Sequence, residues 1–182
     1  LNSVYLQINI RRTNLVEDTL DLISKSNINF KKPLKVKFIG EQGVDEGGVK
    51  KEFFMLLIRQ LFDPNYGMFK YNEEKRIFWF NLYSFETTLK FELIGILFGL
   101  AIFNDVIIDI KFPSIIYKKL LNIKCSLEDL KDIDNEIYNS LVFLKNTNDN
   151  NLEESLGSSF EIEVENFGHR ETIELKEGGR DI

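Results

Sequence analysis

"LKVKFIGEQGVDEGGVKKEFFMLLIRQLF", residues 34 to 62, changes its periodicity within a single turn. Leu34, Val36 and Phe38 alternate with Lys35 and Lys37, the two-residue period of a half-buried strand. From Val49 the apolar residues Val49, Phe53, Leu56, Leu57 and Leu61 recur at helical spacing, so a helix runs to about Phe62. The glycine-rich turn between them invites comparison with a phosphate cradle. A Walker loop needs Gly, four residues, then Gly-Lys-Ser/Thr, so that amides wrap the phosphate, lysine reaches it and the hydroxyl holds magnesium. Gly43 and Gly48 have the spacing, but Val49-Lys50 stand where Lys-Ser/Thr is required, and GxGxxG is absent. Glu41, Asp45 and Glu46 would repel phosphate by about 1 kcal/mol per close pair even in water. Asp45 or Glu46 is expected to cap the helix instead, and the turn reads as scaffold.

Upstream, "VYLQINIRR" alternates as a strand. "NLVEDTLDLI" then takes helical spacing, with Leu15, Thr19, Leu20, Leu22 and Ile23 on one face and Asn14 placed to cap. Downstream, "DPNYG" breaks the chain, and "MFKY" and "IFWFN" around a charged turn predict a hairpin. A helix from about Thr88 to Asn104 carries Gly95 and Gly99 four residues apart, a spacing that predicts close approach of a neighbouring element. "VIIDIKFP" reads as a short strand or turn. Pro113 opens "PSIIYKKLL", and Ser126 caps "SLEDL". The last runs, around Phe167-Gly168-His169, predict another hairpin.

The helix from about Ile133 to Lys145 is unusual. One apolar row is Ile133, Ile137, Leu141 and Leu144, while Tyr138 and Val142 lie about 100° round the helix. Such a breadth suits either a helix facing a partner with one row or a helix lying between two internal layers.

Composition bounds the function. The chain has 182 residues, 43% hydrophobic and 13% aromatic, enough to bury one domain or two small lobes. The longest apolar run, Leu93 to Phe103, is shorter than the roughly 20 residues a bilayer crossing needs, so no membrane association is expected. A net charge of -6, with scattered lysine and arginine pairs, argues against nucleic acid as a partner. No basic leader opens the chain, and its one cysteine forms no internal disulfide framework, which points to an intracellular compartment. Cys125 lies next to Lys124, and the only histidine, His169, is in a distant hairpin turn. The cysteine therefore reads as a small apolar residue, not a nucleophile. Cysteine and histidine are too few for a zinc cluster, and no cofactor is expected. Residue patterns alone thus give an α+β, mainly helical chain with a possible partner surface.

In order and at natural spacing, "LKVKFIGEQGVDEGGVKKEFF", "DPNYGMFKY", "FWFNLYSFE", "LIGILFGLAIFNDVIIDIKFP", "YKKLL", "SLEDLKDIDNEIYNSL" and "ELKEGGRDI" resemble the amino-terminal lobe of a HECT-type ubiquitin ligase. The closest likeness is to the branch of the papillomavirus oncoprotein-associated ligase, linked to Angelman syndrome. The resemblance implies a large subdomain over residues 1–112 and a small, truncated conjugating-enzyme-binding subdomain over 113–182. It also implies an acyl-transfer enzyme that takes ubiquitin from a conjugating enzyme onto its own cysteine and passes it to a substrate lysine. That cysteine belongs to a second lobe, in a Thr-Cys-Phe context that Lys124-Cys125-Ser126 does not match. The chain is therefore expected to lack the catalytic lobe and to be inactive alone.

The implied partners are a ubiquitin-conjugating enzyme, ubiquitin, and protein substrates held by regions outside this chain, in the cytoplasm or the nucleus. By position the resemblance carries the docking groove onto Ile137, Ser140 and Leu141, and onto Glu154, Leu156 and Ser158 of the following loop. Two readings of another class remain beside it: an anion- or nucleotide-binding protein using the turn at residues 40–50, and a non-catalytic scaffold.

Overall fold

The alternation that opens the sequence becomes strand β2 (Leu34–Phe38), with Leu34, Val36 and Phe38 all buried. In the computed structural model, which describes residues 3–25, 28–42, 47–147, 159–166 and 169–181, β2 pairs in parallel with β1 (Leu6–Ile10). Leu6 lies opposite Leu34, and Ile10 opposite Phe38. Parallel neighbours need a crossover, and helix α1 (Leu15–Ile23) supplies it. Leu15, Val16 and Thr19 are its buried residues, and Leu20, Leu22 and Ile23 pack partly buried on the same core. Asn14 occupies the N-cap position as expected, but its side chain makes no cap bond; its Oδ1 instead accepts from the Thr13 hydroxyl at 2.9 Å.

Helix α2 (Gly48–Leu61) buries Phe53, Phe54, Leu57, Ile58 and Leu61. Phe54 and Ile58 thus join the expected row, while Val49 and Leu56 are only partly buried. The helix begins at Gly47, its N-cap residue, at φ 101°. A left-handed backbone there suits glycine, which has no Cβ to clash. Asp45 and Glu46 lie outside the described residues.

The aromatic hairpin is present, β3 (Phe69–Asn72) antiparallel to β4 (Ile77–Phe80), with Phe69 opposite Phe80. Its entry turn is held by Asp63, whose carboxylate accepts from the Asn65 N–H at 2.8 Å. Phe62 stacks on Phe69 at 4.3 Å between centroids and meets Phe78, Phe98 and Phe112 edge-on or tilted. Aromatic pairs of this kind are worth about 0.5–1.5 kcal/mol beyond the area they bury, which accounts for the wealth of phenylalanine in this half. The segment after α3, "VIIDIKF", is not a strand; the Val106 N–H donates to the Ala101 carbonyl at 2.9 Å, and the Phe78 N–H donates to the Lys111 carbonyl at 2.9 Å.

Helix α3 (Thr88–Phe103) turns Leu93, Ile94, Leu97, Leu100 and Ala101 into the core. The expectation for its glycines fails. A Cβ at Gly95 or Gly99 would meet nothing within 4 Å, so among the described residues no element approaches there. The apolar row and the glycine row lie on opposite sides of the helix, and four-residue spacing does not tell a packed face from an open one.

Asn104, 9% exposed at the end of α3, ties that helix to β2. Its Oδ1 accepts from the Leu34 N–H at 2.7 Å, and its Nδ2 donates to the Leu100 carbonyl at 2.8 Å. Asn104→Ala strands a buried amide and is expected to lower unfolding free energy by about 1–3 kcal/mol in urea titrations.

Contacts divide the chain into two units, Leu1–Phe112 and Pro113–Ile182. The second holds α4 (Ser114–Leu120), a 3-10 turn (Leu127–Asp132), α5 (Asn135–Asn146) and a hairpin, β5 (Glu161–Asn166) antiparallel to β6 (His169–Glu174). Residues 167 and 168 of the expected hairpin turn lie outside the described residues. Gly179 closes the base of this hairpin: its carbonyl accepts from the Phe160 N–H at 2.8 Å, and a Cβ on it would come within 2.5 Å of the Phe160 carbonyl. The architecture is α+β and mainly helical.

Candidate functional site

The second unit builds a platform from the 3-10 turn. Ser126 and Asp129 form a reciprocal capping box, which fixes the start of that turn. Asp129 is 5% exposed and also accepts from the Lys118 ammonium of α4 at 2.5 Å. The Ser114 hydroxyl donates to Asp132 at 3.1 Å, a second link between α4 and the turn.

Lys118 and then the Ser126 N–H hold the Asp129 carboxyl below the usual carboxylate range. Asp129 in turn raises the Lys118 ammonium. A depressed carboxylate contributes stability that is complete above its unfolded pKa, about 3.9, and lost as pH falls through the folded value. A raised ammonium contributes stability that is complete below its unfolded pKa, about 10.4, and lost as pH rises through the folded value. Both contributions are therefore present across neutral pH. The gap in melting temperature between the wild type and Asp129→Asn is expected to hold steady from about pH 5 to 9 and to shrink below about pH 4. A gap that widens in acid would contradict this pairing.

Helix α5 follows. Asp134 caps it, accepting from the Glu136 and Ile137 N–H groups at 3.0 Å each. No residue of α5 is buried. Its half-buried row is Tyr138 and Val142; the Tyr138 hydroxyl donates to Glu128 of the turn at 2.6 Å, and the Lys131 ammonium lies 5.9 Å from its ring. The bond to the Glu128 carboxylate raises the phenol above its ordinary value. The other row is exposed in its middle, with Ile137 51% exposed and Leu141 39%, while Ile133 and Leu144 at its ends are half-buried. Ser140 is exposed, and its hydroxyl donates to the Glu136 carbonyl at 2.9 Å. Phe143, 69% exposed and three residues beyond Ser140, widens the same open side.

Ile137, Ser140 and Leu141 thus share one exposed surface of a capped helix, able to bury apolar area against a partner. Glu154, Leu156 and Ser158 lie outside the described residues. Sequence reading passed over Phe143, although i, i+3 spacing from Ser140 marks it. It also passed over the bond from Tyr138 to Glu128, which no periodicity signals.

The turn after β2 offers a different picture. Arg12 donates to Glu41 at 2.7 Å and to Glu52 at 2.8 Å, and its guanidinium lies 4.1 Å from the Phe38 ring centroid. The bond from Arg12 holds the Glu41 carboxyl below its usual range, so this carboxylate stands ionised beside the turn. The Lys50 ammonium lies 3.5 Å from the Asn104 carbonyl. These groups brace β1, β2 and α2, and nothing in their geometry favours an anion. Cys125 is partly buried, its sulfur 3.9 Å from the Ile123 carbonyl. Among the described residues no group of three or more His, Cys, Asp or Glu side chains could hold a metal, and no helix is long and apolar enough to cross a membrane.

The model of the HECT-domain (ubiquitin-transferase) family matches residues 55–182, and the chain belongs to that family. The probable E3 ubiquitin-protein ligase HERC4 of Homo sapiens is 47% identical over 173 residues, 94% of this chain and 16% of that protein. The probable E3 ubiquitin-protein ligase HECTD2 of Pongo abelii is 41% identical over 196 residues, covering 100% of the chain and 25% of the relative. HERC3 of Homo sapiens, also named a probable E3 ubiquitin-protein ligase, is 44% identical over 181 residues, 99% of the chain and 17% of that protein. The chain thus spans a quarter or less of the length of each of these relatives. Their names are HERC and HECTD, and they lend no support to the narrower likeness to the papillomavirus oncoprotein-associated branch.

Proposed function

We propose that this chain is the part of a HECT-type ubiquitin ligase that docks the ubiquitin-loaded conjugating enzyme, through the exposed Ile137, Ser140 and Leu141 side of α5. One observation carries the reading: in a member of a ubiquitin-transferase family, a capped helix turns its apolar row outward. By resemblance to the family, Glu154, Leu156 and Ser158 are assigned to the same contact with the conjugating enzyme. Residues 1–112 act as the large subdomain and 113–182 as the small, docking one.

The chemistry is acyl transfer. A thiolate elsewhere in the whole protein attacks the thioester carbonyl that joins ubiquitin to the conjugating enzyme, expelling that enzyme's cysteine as the leaving thiolate. The amine of a substrate lysine then attacks this second thioester, loses a proton as the amide forms and expels the ligase's cysteine thiolate. This chain contributes proximity: a docked donor reacts as though at raised local concentration. Cys125 does not take part, because it is partly buried and outside the family's Thr-Cys-Phe context. The setting is intracellular, cytoplasmic or nuclear, and substrates bind regions outside this chain.

The test is calorimetric titration with a panel of ubiquitin-conjugating enzymes, followed by a loading assay with activating enzyme and ubiquitin. Saturable binding of at least one enzyme, with no thioester on Cys125, is expected. A chain that binds none of the panel is a scaffold, and a thioester on Cys125 would place the chemistry inside this chain.

A further inference from the structure

The row that faces outward on α5 depends on what holds the other side. With no buried residue in the helix, apolar packing is a weak guide to its rotation, and a roll of about 100°, one residue's turn, would exchange the Ile137 row for the Tyr138 row. Two polar contacts oppose such a roll. Asp134 fixes the first turn through the Glu136 and Ile137 amides. One turn further on, the Tyr138 hydroxyl reaches the Glu128 carboxylate at 2.6 Å, a short charge-assisted bond. The turn that carries Glu128 is itself anchored, since its neighbour Asp129 is bonded to Lys118, the Ser126 N–H and the Ser126 hydroxyl. Two adjacent acids of one turn thus bond to two different helices, Asp129 to α4 and Glu128 to α5.

We infer that Tyr138 is a positioning residue for conjugating-enzyme docking: its bond to Glu128 sets the rotation of α5 that presents Ile137 and Leu141. The inference rests on the docking role proposed above. Tyr138 touches the turn and not the partner, so its effect on affinity is indirect.

The test uses the 182-residue chain and the tightest-binding enzyme of the panel, with affinity and melting temperature measured for each variant. Tyr138→Phe keeps the ring and removes the hydroxyl; affinity is expected to fall about three- to tenfold. Glu128→Gln still presents an accepting oxygen and is expected to stay within about twofold of the wild type. The double variant Tyr138→Phe, Glu128→Leu replaces both polar partners by apolar groups, which restores stability without restoring a directional bond. Its affinity is expected to remain low while its melting temperature recovers. Affinity that recovers together with melting temperature would make Tyr138 merely structural and overturn the inference. If Tyr138→Phe fails to fold, Glu128→Leu alone gives the same reading, because it removes the acceptor and leaves the tyrosine in place. Undiminished affinity in Tyr138→Phe or Glu128→Leu, beside a clear loss in Leu141→Asp, overturns the positioning role and leaves the docking role standing. Undiminished affinity in Leu141→Asp as well removes the docking role itself.

Discussion

Phe53→Ala is expected to lower the unfolding free energy of the first unit by about 3–5 kcal/mol. Phe53 is 1% exposed, on the face of α2 that packs against β2, and meets Phe54 edge-to-face at 5.5 Å between ring centroids. Truncation removes the ring's transfer free energy and leaves a cavity, because the surrounding side chains collapse only partly. The neighbours belong to separate elements, β1, β2, α1 and α3, which a single rotamer change cannot draw together. Urea titration followed by circular dichroism measures the loss. A cost below about 1 kcal/mol would mean that α2 is not the centre of this core.

Leu141→Asp is expected to weaken conjugating-enzyme binding by about 2 kcal/mol or more, roughly thirtyfold in Kd, with little change in stability. The two effects separate because Leu141 is 39% exposed in the free chain, so an aspartate there stays solvated until a partner covers it. On docking, the same carboxylate must lose water without a partner, which is costly. Within the helix the aspartate costs only about 0.5 kcal/mol in propensity, and Lys145, four residues on, can pair with it. Unchanged affinity with an intact fold would move the docking surface off this row.

Much of the fold is legible because two periods carry it. The alternation of Leu34, Val36 and Phe38 and the helical spacing around Phe53 both describe one-sided burial; the strand side is buried as spaced, and the helix side is buried around Phe53, Leu57 and Leu61 with Val49 and Leu56 only partly so. What alternation does not encode is pairing: β1 and β2 could equally have been antiparallel from their patterns, and only the crossover by α1 makes them neighbours in parallel. Glycine is ambiguous for a related reason. Gly95 and Gly99 lack a Cβ on an open face, Gly47 supplies a left-handed cap, and Gly179 admits a carbonyl at short range, yet all read as the same letter.

The candidate site was half legible. Two apolar rows on α5 were visible from spacing, but which one faced outward was decided by Tyr138 reaching Glu128 ten residues away. A contact between two helical segments leaves no period in the sequence.

Titration of the isotope-labelled chain with a ubiquitin-conjugating enzyme, followed residue by residue by NMR, tests the docking role most directly. The largest amide shifts are expected between Ile137 and Leu144, with the turn at residues 40–50 unmoved. Shifts that are absent from α5, or concentrated at that turn and the start of α2, would contradict it.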